Sequence, residues 1–101
     1  MSRLTLYKNH LKDLATDYPY LLDIQNDQVP AGTRIVALVR ASGKMADISI
    51  TTLKFSYSGE YYSASLLDIF TVSERKLSAP LAQLTQLKAA LTNAIDFLFV
   101  D

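Results

Sequence analysis

A chain of 101 residues whose ten basic and ten acidic side chains cancel has no global field to draw it to nucleic acid or to an anionic membrane. Half of the residues are apolar and a fifth are charged, a globular balance that argues against disorder and leads to the expectation of one α+β domain over residues 1–101. The absence of cysteine excludes disulfides, thiolate nucleophiles and thiolate metal sites.

The N-terminal run MSRLTLYKNHLKDL lacks the uninterrupted apolar core of a signal peptide, and no apolar run is long enough to span a bilayer. A cytoplasmic location is therefore expected. Ser2 is placed to cap a first helix in which Leu4, Tyr7, Leu11, Leu14, Ala15 and Tyr18 form one stripe. Pro19 ends it, because the residue before a proline is pushed out of the helical region. Residues 19–33 mix apolar side chains with Asp23, Asn26, Asp27, Pro30 and Gly32 and read as a packed loop.

From Arg34 the period becomes that of strands. RIVALVR is followed by the turn pair Ser42-Gly43, and residues 44–57 run to a second pair, Ser58-Gly59, before Glu60 to Val72 returns. If Ala41 opposes Lys44, then Val39, Ala37 and Ile35 oppose Ala46, Ile48 and Ile50. If Tyr57 opposes Glu60, then Phe55 and Leu53 oppose Tyr62 and Ala64, on the other face of the same strand. The apolar phase therefore switches at Thr51-Thr52. Either a β-bulge there re-aims the strand, or both faces are apolar and a second copy of the chain covers one of them.

The last run, SAPLAQLTQLKAALTNAIDFLFV, predicts a long helix from near Ala79, capped by Ser78 with Pro80 in its first turn. Leu81, Leu84, Leu87, Leu91, Ala94, Ile95 and Leu98 make the buried stripe. The heptad spacing of Leu77, Leu84, Leu91 and Leu98 invites a coiled coil, but Pro80 lies on that seam and flanking charge pairs are missing, which favours a core helix. The back of the stripe carries only Lys88 and Asp96 as charges, so cover by a neighbour is expected there. Phe97, Leu98, Phe99 and Val100 leave no polar side and are expected to be mostly buried.

The resulting fold is a three-stranded antiparallel meander with an N-terminal and a long C-terminal helix, α-β-β-β-α. That order resembles double-stranded RNA-binding domains, and QLKAALTNAIDFL is similar to their last helix. The basic cluster of that family is missing, since KLSAPLAQL holds one lysine, so RNA binding is not implied.

Chemical motifs are sparse. His10 is the only histidine and would sit near Asp13 on a helix face, as a solvated pair. No G-x-S-x-G elbow, glycine-rich phosphate loop, zinc set or calcium loop occurs, so no metal or cofactor is expected. Asp68, in the apolar run SLLDIF, would be desolvated beside Asp47, Arg34 and Arg40, giving a structural ion pair or a functional carboxylate. Asp68, Tyr62 and Asp47 are therefore the candidate catalytic residues of a small-ligand-binding or isomerase-like protein.

The other reading is a non-catalytic interaction protein of inhibitor, immunity or adaptor type, self-associating as a homodimer. Its contact residues would be Phe55, Tyr57, Tyr61 and Tyr62 at the second hairpin. Asp13, Asp17, Asp23 and Asp27 would form an acidic patch that carries Tyr18 and Tyr20, for a basic protein partner.

Overall fold

The computed structural model describes residues 3–25, 32–42 and 50–99. Its framework is one six-stranded antiparallel sheet in the order β4-β5-β3-β2-β1-β6, with a single C-terminal helix. The strands are β1 (Thr5–Lys8), β2 (Tyr20–Asp23), β3 (Thr33–Ala41), β4 (Thr52–Tyr57), β5 (Glu60–Ser73) and β6 (Ala82–Gln83); helix α1 is Lys88–Phe99. Among the described residues no helix is long and apolar enough to cross a membrane.

The α-β-β-β-α meander is thus overturned, and with it the topological likeness to RNA-binding domains. In place of the N-terminal helix stands a strand, β1, with Leu6 buried on one face of the sheet and Tyr7 on the other. Burial on both faces removes the alternation by which a strand is usually read. Only the turn after it is helix-like: the Ala15 and Tyr18 amides donate to the Leu11 and Leu14 carbonyls. Asn9 holds that turn closed. Its side-chain oxygen accepts from the Leu11 amide at 2.8 Å, and its side-chain nitrogen donates to the Tyr18 carbonyl at 2.7 Å.

The expected loop at residues 19–33 contains β2, which pairs with β1 and β3 and also buries both faces: Leu22 joins the main core and Leu21 the second. Of the run expected as the central strand, the described part, Thr52–Tyr57, is β4 and pairs only with β5 among the described residues. Among the described residues β3 lies between β2 and β5, and β5 lies between β3 and β4. Ala46 and Ile48 lie outside the described residues. The second hairpin has the register that its turn implies, with Tyr57 opposite Glu60, Phe55 opposite Tyr62 and Leu53 opposite Ala64. Ser58 and Gly59 take φ of 53° and 84°, the positive pair that matches the twist of the flanking strands.

An irregularity in register sits on β5; β4 begins only at Thr52, and the phase switch expected at Thr51-Thr52 rests on residues outside the described ones. Ala37 opposes Ile69 and Val39 opposes Ala64, so Ser65, Leu66, Leu67 and Asp68 together span the place of Leu38. The Leu66 amide still donates to Thr51, and the Leu67 amide to the Ser65 hydroxyl. Such an insertion bends the strand and curls the sheet.

The long helix is shorter than its stripe. Leu81 and Leu84 donate backbone hydrogen bonds to Leu6 and Leu4, and Gln83 pairs with Thr5, so Ala79 to Gln83 runs as an edge of the sheet. A 3-10 turn, Thr85–Leu87, leads into α1 at Lys88. The stripe nonetheless faces where its period says: Leu84, Leu87, Leu91 and Ala94 are buried against Leu6, Leu22, Leu53 and Phe55, with Ile95 and Leu98 packed at the border.

The opposite face holds Tyr7, Leu21, Val36 and Val72, and also a buried ion pair. Arg34 donates from Nε to Asp23 Oδ2 at 2.8 Å and from Nη2 to Oδ1 at 3.0 Å. Asp23 also accepts from the Gln25 amide, and the Gln25 side chain accepts from the Ile35 amide. Arg34 is therefore the partner of Asp23 and not of Asp68. Removing one member leaves a buried charge uncompensated, so Asp23→Ala or Arg34→Ala is expected to cost about 3–5 kcal/mol in urea unfolding. The double substitution Asp23→Leu/Arg34→Met is expected to recover most of that loss; equal loss in the double variant would refute the account.

Candidate functional site

The tyrosines expected at an interface separate into packed and free members. Tyr20, brought in on β2, meets Tyr57 edge-on at 5.5 Å between ring centroids and Tyr62 at 5.1 Å, and Phe55 stacks on Tyr62 at 6.0 Å. Tyr62 and Phe55 are buried and belong to the main core; Tyr20 and Tyr57 border it. This cluster clamps β2 to the β4–β5 hairpin. Tyr61 points to solvent, and Tyr18 is half-buried beside Pro19.

The carboxylates are dispersed. Asp23 is fully buried on Arg34 and so contributes nothing to an acidic surface. Asp68 is exposed on the β5 excursion, contrary to the desolvated position that its apolar neighbours suggested. Asp47 and Asp27 lie outside the described residues. Tyr62 donates to Glu60 at 3.1 Å, not to Asp68. His10 and Asp13 share no helix, because residues 12–17 form turns. Among the described residues no cluster of metal-ligating side chains occurs.

A cavity of about 310 Å³ lies on the sheet face away from α1, based on Leu21 and Val72 and flanked by Leu11 and Leu77. It includes neither Asp68 nor any tyrosine. Among the described residues, Asp68 and Tyr62 are not brought together, and neither borders that cavity.

What sequence reasoning missed is the end of α1. Phe97 is 61% exposed and Phe99 76%, although both were expected to be buried; only Leu98 of the described terminal residues packs on the core. The stripe held this information, since inward positions 91, 94, 95 and 98 put 97 and 99 on the outer side. Gln86, Ala89, Ala90, Thr92 and Asn93 share that exposed side with the two charges Lys88 and Asp96, leaving a sparsely charged surface with two aromatic rings at its end. An aromatic surface poor in charge is the composition of an interface core.

Burial raises the pKa of the Tyr62 hydroxyl well above the ordinary tyrosine value, and the Tyr20 and Glu60 side chains add to the shift. Tyr7 is raised too, by burial first and then by the charge of Asp23. The folded state thus holds these protons more tightly than the unfolded chain. Their contribution is complete below about pH 10 and is lost as pH rises beyond it. The urea midpoint is expected to fall above about pH 10, less steeply in Tyr62→Phe; a midpoint flat to about pH 11 would contradict this.

A search of curated proteins found no match to the chain. The model of the CcdB protein family matches residues 3–100. With nearly its whole length matched, the chain belongs to the CcdB family, whose members are non-catalytic proteins of the interaction and inhibitor type.

Proposed function

We propose that this protein is the toxin of a toxin–antitoxin pair, a homodimer that poisons bacterial gyrase in the cytoplasm and is held inactive by an antitoxin of the CcdA kind. Family membership supplies the partner classes. The single observation that carries a binding role is the outer side of α1, where Phe97 and Phe99 stand in solvent on an almost charge-free surface. Exposed rings of this kind cost solubility unless a partner buries them, and aromatic anchors supply most of the energy of a protein interface. In this reading the target contact lies on Phe97 and Phe99, with Asn93 and Ala90 one and two turns before Phe97 on its ridge.

A second apolar patch suits self-association. Ile35 and Ile69 are diagonal neighbours on the face that carries the main core, beyond the reach of α1, and both are exposed beside Leu67 at 69%. A second copy seated there would cover what the helix leaves bare.

Phe97→Ala/Phe99→Ala is expected to abolish inhibition of gyrase supercoiling while moving stability by no more than about 0.5 kcal/mol per site, as for other exposed positions. Full inhibition by the double variant would overturn the assignment of the target contact. Light scattering at micromolar concentration is expected to give a dimer mass, and Ile69→Lys a monomer mass with its fold retained. A monomer mass for the parent chain would remove the dimer from the reading.

A further inference from the structure

The cavity on the second sheet face is separate from both of these surfaces and is put together differently. Its base, Leu21 and Val72, belongs to rigid strands β2 and β5 and packs with Tyr7 in the second core. Its sides come from two connections that the sheet brings together: Leu11 at the start of the turn after β1, and Leu77 just after the 3-10 turn Glu74–Lys76. The rim is cationic. Lys12 and Lys76 approach from those two connections with His10 beside them, and no acidic residue among the described residues lines the opening. Neither lysine has an ion-pair partner among the described residues. In a chain with as many acids as bases, an apolar cavity edged by two ammonium groups and lined by no described carboxylate is locally cationic.

We propose that this cavity binds a small amphiphilic carboxylate, with its hydrocarbon on Leu11, Leu21, Val72 and Leu77 and its carboxylate between Lys12 and Lys76. The volume lies at the low end of ligand pockets and corresponds to roughly ten water molecules, enough for one short chain or one ring. The base is already formed and mostly apolar, so a ligand enters without reordering the sheet. Phosphate-rich ligands fit poorly, because four of the seven lining side chains are aliphatic and no glycine-rich loop offers backbone amides. The proposal goes beyond the toxin reading and does not depend on it.

The test is an amide NMR titration of the full chain with octanoate, with octanol and octylamine as matched probes. Saturable shifts at Leu11, Leu21, Val72 and Leu77 are expected with octanoate, weaker ones with octanol and none with octylamine. Lys12→Glu/Lys76→Glu is expected to weaken octanoate about tenfold or more, since exposed charge pairs contribute up to about 1 kcal/mol each and reversal adds repulsion. Both lysines are exposed, so the melting temperature should not move, and Lys12→Gln/Lys76→Gln should lie between the two. Absence of saturation, equal binding of octylamine, indifference to the lysine substitutions, or saturation only by an acidic peptide would each overturn the proposal.

Discussion

A sheet has two faces, and the described residues hold one α-helix, of twelve residues, to cover them. Most of the arrangement follows from that shortage. The face beneath α1 is closed by Leu84, Leu87, Leu91 and Ala94, while the other must close with side chains of the sheet itself and of its connections. Tyr7, Leu21, Val36 and Val72 do this, with the Asp23–Arg34 pair filling the place beside them. A bidentate guanidinium–carboxylate pair, tied further to the Gln25 backbone, is the form in which charge is tolerated away from water. The curl at residues 65–68 belongs to the same economy, since a curled sheet brings its own ends nearer to the helix.

The same shortage explains which parts of the fold were legible. The second hairpin was read to its register because β4 is buried on one face only and its turn has a strong chemical signature. The inward stripe of the C-terminal run holds from Leu84 on, although Leu81 is exposed and the first part of the run is an edge strand and a 3-10 turn. Leu81, Leu84 and Leu87 recur at the helical spacing without a helix, because Pro80 and the free edge of β1 make pairing with Leu4 and Leu6 the better use of that backbone. The strands β1 and β2 were misread because their side chains are apolar in both directions. Tyr7 and Leu11 mimic a helical repeat that tertiary pairing overrides.

The candidate site divides similarly. Tyr57, Tyr62, Phe55 and Tyr20 do come together, as internal packing, so the sequence located a cluster but not its exposure. Asp23 looked like part of an acidic surface because its partner, Arg34, lies eleven residues away and across a strand pair. Phe97 and Phe99 were misjudged by composition, which says that aromatic residues are buried, when their phase on the helix says the reverse.

The pairing of Thr5 with Gln83 joins residues 78 positions apart, with the 3-10 turn and α1 coming after it. Contacts of such separation require loop closure before they contribute, which slows folding and places the closure late. On a ribosome the sheet cannot complete its β1 edge until residue 83 has emerged, and α1 has no finished surface to dock on before then. The aromatic side of that helix is thus displayed in its native setting only once the β1 edge has closed.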